Sequence, residues 1–133
     1  MTNTTTIRVR YAETDQMGVV YYANFLVWFE IGRVELLRQL GFDYKTMEVE
    51  DDCFIPVVDV NCRYKSPARY DDQLVIETRM AALRGSVLKF RYRILRGNDE
   101  QLLAEGETTH VVTDRTMSKC ALPEKYVRAL SGD

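Results

Sequence analysis

Histidine, cysteine and proline are scarce in this 133-residue chain, and the scarcity removes several chemistries. With His110 as the single histidine, neither a two-histidine metal site nor a serine triad is readily built, and no metal ligand set or resident cofactor is expected. Cys53, Cys62 and Cys120 are odd in number, far apart and without a CxxC pair, so they read as reduced, buried thiols rather than a disulfide framework or zinc site. Pro56, Pro67 and Pro123 punctuate the chain without forming a linker, and no repeat or low-complexity tract divides it, so residues 1–133 read as one domain. No Walker loop, GxGxxG, GxSxG or HExxH motif is present. No apolar run approaches the roughly 18 residues of a membrane span, and the start is neither basic nor apolar, so a cytoplasmic protein is expected. Charge of one sign is also missing: 18 basic side chains stand against 20 acidic ones. A general nucleic-acid binder needs a basic surface, so that class is excluded, while small anionic ligands stay open.

What is present is periodicity. Ile7, Val9 and Tyr11 alternate with Arg8 and Arg10, which predicts a first strand, followed by a polar, glycine-containing loop over 13–22. From Asn24 to Leu40 the spacing predicts a helix with Gly41 as its cap. Phe25, Leu26, Phe29, Leu36, Leu37 and Leu40 share one arc, while Val27, Ile31 and Val34 form a second stripe nearly opposite. A helix with two apolar faces should lie deep, clasped by a sheet on one side and touched by another subunit on the other. Gly32 in its interior fits a strand approaching there. After an acidic stretch over 43–52, read as a short helical turn and loop, half-buried strands are predicted at 57–64, 74–80, 88–94 and 102–113. The order is strand, helix, then strands joined mainly by short turns, an α+β layout with an antiparallel sheet on one long helix.

The loop before the helix carries the chemistry. Asp15 stands seven residues before Tyr22 at the mouth of a buried helix, with Gly18 between them. Free amides at a helix start can hold a developing oxyanion, and a nearby carboxylate can attack the same carbonyl or activate water. Spacing alone favours the plainer reading of Asp15 as a turn or capping carboxylate.

The run Glu13-Thr14-Asp15-x-x-Gly18-x-Val20-Tyr21-Tyr22-x-x-Phe25, then Glu30-x-x-Arg33, then Tyr64-x-x-Pro67-Ala68-x-Tyr70-Asp71-Asp72, resembles the acyl-CoA thioesterases of the hotdog fold. More narrowly it is similar to the 4-hydroxybenzoyl-CoA thioesterase group, which includes the Tol-Pal-associated acyl-CoA thioesterases. The resemblance implies a five-stranded antiparallel sheet wrapped around one central helix. It also implies a homodimer or a dimer-of-dimers tetramer with active sites at the subunit interface. Asp15 is then nucleophile or general base, the Tyr22 backbone amide is the oxyanion donor, and Gly18 is the loop residue that admits an acyl-CoA substrate. The Tol-Pal-associated members carry histidine where this chain has Tyr22, whereas the 4-hydroxybenzoyl-CoA enzyme has tyrosine there; a backbone donor tolerates either.

A thioester suits so sparse a site, because a thiol with a pKa of about 8.5 leaves as thiolate without an acid to protonate it. CoA also brings phosphates. Tyr21, Lys65 and Arg84 are the expected substrate-binding residues, Lys65 and Arg84 as phosphate contacts near strand ends. His110 is expected to be a hydrogen-bonded core or pocket residue. The rival reading is a non-catalytic module that binds acyl-CoA or an acyl carrier; a hotdog dehydratase would need a histidine in the active-site motif.

Overall fold

The computed structural model describes residues 1–132, and Asp133 lies outside the described residues. Five strands, β1 (Thr2–Arg8), β2 (Val57–Tyr64), β3 (Gln73–Arg84), β4 (Val87–Arg96) and β5 (Leu102–Val111), form one antiparallel sheet in the order β1-β3-β4-β5-β2. The sheet packs on α1 (Asn24–Gln39), and the shorter α2 (Tyr44–Glu50) and α3 (Glu124–Leu130) cover the rest. This is the α+β hotdog layout that the sequence motifs imply.

Alternation explains the core. Leu88, Phe90, Tyr92 and Ile94 of β4 and Leu74 and Ile76 of β3 point inward and are fully buried. Phe25, Trp28, Phe29, Leu36 and Leu37 of α1 meet them, with Phe29 stacked on Tyr92 at 4.3 Å between ring centroids. The second stripe of α1 stays on the outside: Val27 is exposed, and Ile31 and Val34 are half-buried. Gly32 lies where expected, since a Cβ there would collide with Thr78 Oγ1 and come within 3.0 Å of Ile76 Cγ2. Asp43 caps α2 by accepting a 2.8 Å hydrogen bond from the Thr46 amide.

Four expectations need correction. The first strand begins at Thr2, because β-branched threonines extend it without an apolar signal. It ends before Tyr11, which sits in a 3₁₀ turn and is exposed. The strand predicted at 57–64 forms but is not half-buried: Val57, Val58, Val60 and Tyr64 are exposed, because β2 is an edge strand at the margin of the surface that α1 covers. α3, which the periodicity does not announce, buries Tyr126 and Leu130, and the Tyr126 hydroxyl donates to the Asp51 carboxylate. Of the three thiols only Cys53 is fully buried; Cys62 and Cys120 are half-buried, and all are free.

A polar chain runs through the core. The buried Arg33 guanidinium donates to the hydroxyls of Tyr44 and Tyr92, each at 3.1 Å, and no carboxylate pairs with it among the described residues. The Tyr92 hydroxyl lies 2.6 Å from Thr108 Oγ1, which lies 2.8 Å from His110 Nε2; His110 Nδ1 is 2.8 Å from the Ile55 carbonyl. His110 is therefore a hydrogen-bonded core residue. Burial, and secondarily the Arg33 charge, push its pKa down to about 4, so it is neutral in the native state.

Two stability predictions follow from this packing. Helix propensity alone would make Gly32→Ala stabilising by about 1 kcal/mol, but the collision with β3 should reverse the sign and cost about 1–3 kcal/mol in urea denaturation. His110 is neutral in both states above its unfolded value near 6.5, so native stability is undiminished there. As pH falls from about 6.5 toward 4 only the unfolded chain takes up this proton, and up to about 3 kcal/mol is lost. The carboxylates held low by hydrogen bonds contribute losses only at the acid end of this range, Asp43, Asp51, Asp99 and Asp114 below their unfolded value near 3.8 and Glu107 below its value near 4.5. His110→Gln should be less stable at pH 7 but flatter between pH 6.5 and 4.5; an unchanged slope in the urea midpoint would refute the assignment.

Candidate active site

The loop that leaves β1 is built around Glu13. Its buried carboxylate accepts hydrogen bonds from the Arg10 amide at 2.7 Å and from Trp28 Nε1 at 3.3 Å, and its carbonyl accepts the Tyr21 amide and Asn24 Nδ2, both at 2.9 Å. One residue therefore ties the start of the loop, its end and the first turns of α1 together. Between Thr14 and Val20, which bridge antiparallel, the chain makes a small closed turn. The Asp15 amide donates to the Val19 carbonyl at 2.9 Å, and Gly18 closes the turn at φ +79°, a left-handed conformation that favours glycine. The Met17 amide donates to Asp15 Oδ1 at 2.8 Å, and Oδ2 takes no hydrogen bond among the described residues.

Beyond the loop, the amides of Asn24, Phe25 and Leu26 donate to the carbonyls of Tyr21, Tyr22 and Ala23. The helix is thus preceded by a tight turn that satisfies its first amides internally. Among the described residues no acceptor takes the amide of Tyr22, the residue that the sequence motif singles out. The turn is braced from β2, where the Tyr64 hydroxyl donates to the Tyr22 carbonyl at 2.9 Å and the Tyr64 ring meets Phe25 edge-on at 5.3 Å. Burial pushes the Tyr64 phenol far up, so it stays protonated and able to donate.

These elements enclose a cleft of about 350 Å³ lined by Asp15, Met17, Tyr22, Phe25, Tyr64 and Lys65 among others. Of the residues expected from sequence, Asp15, Tyr22 and Lys65 share this cleft. Gly18 shapes the turn without lining the cleft, and Tyr21, also outside the lining, packs against Tyr22 with the rings tilted and their centroids 4.8 Å apart. Lys65 lies 3.8 Å from Glu105, so its charge is already partly engaged. Arg84 is not brought to the cleft within the chain. It ends β3, ten residues from Leu74, about 33 Å along an extended strand, whereas Tyr64 pairs with Ala104, at the Leu74 end of the sheet. Sequence reasoning missed Tyr64 and Phe25 as cleft walls, although both belong to the quoted motifs. It also missed Glu13, whose link to Trp28 spans 15 residues.

Among the described residues no group of three or more His, Cys, Asp and Glu side chains gathers where it could hold a metal ion. The cleft is lined by one aspartate, by Tyr22 with its unclaimed amide and by an apolar wall, a set of groups that suits acyl transfer, where charge develops on a carbonyl oxygen.

The comparisons agree with this chemistry. Residues 9–130 match the model of the thioesterase-like superfamily. The chain is 42% identical to the Bacillus subtilis protein YneP over 85% of this chain and 80% of that one. It is 37% identical to the acyl-CoA thioester hydrolase YbgC of Escherichia coli, covering 91% of this chain and 90% of YbgC. The crystal structure of DHNA-CoA thioesterase from Staphylococcus aureus superposes with a TM-score of 0.92 at 30% identity, over 98% of this chain and 89% of that one. The arrangement of Asp15 and Tyr22 around a clasped helix is therefore carried by a chain that belongs to the thioesterase-like superfamily.

Proposed function

We propose that this protein hydrolyses acyl-CoA thioesters to free acid and CoA, with Asp15 as nucleophile or general base and the Tyr22 amide as oxyanion donor. The observation that carries the reading is the cleft itself, lined both by Asp15, one of whose carboxylate oxygens is free of hydrogen bonds, and by Tyr22, whose amide is unclaimed. Attack on the acyl carbon, by the carboxylate or by water it deprotonates, moves charge onto the carbonyl oxygen. The amide opposes that charge without prior rearrangement. The C–S bond then breaks and the thiolate leaves unaided. If a mixed anhydride forms on Asp15, water cleaves it in a second step.

The active assembly in this reading is at least a homodimer, with a tetramer as its pairing. Support comes from the bare edge of the sheet: β2 presents unpaired backbone and four exposed apolar or aromatic side chains, a liability unless a second strand covers it. A two-fold copy pairing antiparallel along β2 would bring the partner's Val57 end beside the Tyr64 wall of the cleft. The outward stripe of α1, with Val27 exposed, extends that surface. No helix is long and apolar enough to cross a membrane, and three free thiols fit the reducing cytoplasm, where we place the reaction.

Two measurements test the reading. Thiol release from a panel of aromatic and aliphatic acyl-CoA esters should show turnover on at least one, falling about 100-fold or more in Asp15→Asn. Equal rates would remove Asp15 from the mechanism, and silence across the panel would favour a binding module. Val60→Asp on the edge strand should shift sedimentation to the monomer and lower activity with it, whereas an unchanged assembly would exclude β2 as the interface.

A further inference from the structure

The outer face of the sheet carries a charge pattern that neither the core nor the cleft explains. Alternation along β4 turns Tyr92 inward and leaves Arg91 and Arg93 exposed on the other side. In one row across the strands Glu77, Arg93, Glu105 and Arg63 stand in register, so opposite charges face each other at every step. One row further on the rule breaks, and Arg79 of β3 stands directly opposite Arg91 of β4. Like charges in directly opposed positions destabilise a sheet, and a carboxylate at position 79 would have continued the alternation.

These cations are not used up within the chain. The Arg91 guanidinium donates to Glu107 at 2.7 Å and that of Arg93 to Glu77 at 2.9 Å. Arg79 and Arg63 are exposed, and no carboxylate pairs with either among the described residues. They border a depression of about 570 Å³ whose charged lining is Arg63, Arg79, Arg91 and Arg93 against Glu105 and Glu107. A smaller hollow of about 200 Å³, reaching Thr2 of β1, is walled by the same Arg79, Arg91 and Arg93. Four guanidinium groups against two carboxylates mark a local excess of cations in a chain with 18 basic and 20 acidic side chains. No residue lining the depression also lines the cleft that holds Asp15.

Guanidinium groups bind phosphoryl oxygens through paired, charge-assisted hydrogen bonds. Arg79 and Arg91 stand on neighbouring strands, about 5 Å apart at the backbone, and Arg63 stands two strands from Arg93, about 10 Å away. The positive charge is therefore spread along a line, which a chain of linked phosphoryl groups matches better than a single one does. We propose that Arg79, Arg91 and Arg93, with Arg63 across the depression, form a second ligand site for a small anion of two or three linked phosphoryl groups. The bound anion replaces the repulsion between Arg79 and Arg91 with two attractions. The site is separate from the thioesterase reading above and does not depend on it.

Calorimetry with tripolyphosphate at constant ionic strength tests the site, with one saturable event per chain expected for the wild type. Arg79→Gln should bind at least about tenfold more weakly, and Arg79→Glu should not bind. Arg115→Glu, the same charge change at an exposed position outside the depression, should bind as the wild type does. In phosphate-free buffer Arg79→Glu should melt above the wild type, because it completes the alternation. Absent binding in the wild type, undiminished binding in Arg79→Glu, an equal loss in Arg115→Glu, or a melting temperature that does not rise would each overturn the proposal. A raised KM for acyl-CoA in Arg79→Glu would overturn it too, by assigning these cations to the phosphates of the substrate. Altered sedimentation of Arg79→Glu would do the same by assigning them to carboxylates of a second copy.

Discussion

The grip of Glu13 on the loop and the helix is the interaction on which the site depends. A buried carboxylate is tolerable only when hydrogen bonds replace its lost water, and here the Arg10 amide and the Trp28 indole do so. Its carbonyl meanwhile gathers Tyr21 and Asn24. Asp15 and Tyr22 belong to stretches of chain that would otherwise move separately; Glu13 makes their spacing a property of the core. The neighbouring acids in Glu13-Thr14-Asp15 thus divide the labour, one folded inward to hold geometry and one left facing the cleft.

The sheet and the helix impose a second constraint. α1 packs on β1, β3 and β4 and leaves β2 at the margin of the sheet. A fold that clasps its helix so unevenly has apolar surface to spare at one edge, and that edge also forms a wall of the cleft through Tyr64.

Much of this was legible in the sequence, for local reasons. β3 and β4 carry clean alternation because one face of each is core and the other water, and Gly32 announced the strand that crosses it. Legibility failed where the outcome depends on distant partners. Val58 and Val60 alternate like half-buried residues, yet which element covers them is a matter of sheet order, which periodicity does not encode. Tyr11 continues the pattern of Ile7 and Val9, but the chain has already turned to present Glu13 to Trp28. α3 is seven residues long, with Tyr126 and Leu130 as its only buried positions, too brief a signal to read. Arg84, expected as a phosphate contact near a strand end, does lie at the end of β3, far along the strand from the cleft of its own chain. Asp15 and Tyr22 were singled out through the family resemblance; spacing alone favoured a turn or capping role for Asp15.

The polar chain beneath α1 has one more consequence, which concerns direction. Arg33 can only donate and the Ile55 carbonyl can only accept. Between these fixed ends every proton is assigned: Tyr92 must pass its hydrogen to Thr108, Thr108 must pass its own to His110 Nε2, and the imidazole must carry its hydrogen on Nδ1. The core therefore selects a single tautomer. A second proton on that ring would make Nε2 a donor, so Thr108 would have to give up its own hydrogen bond to the imidazole and accept from both sides.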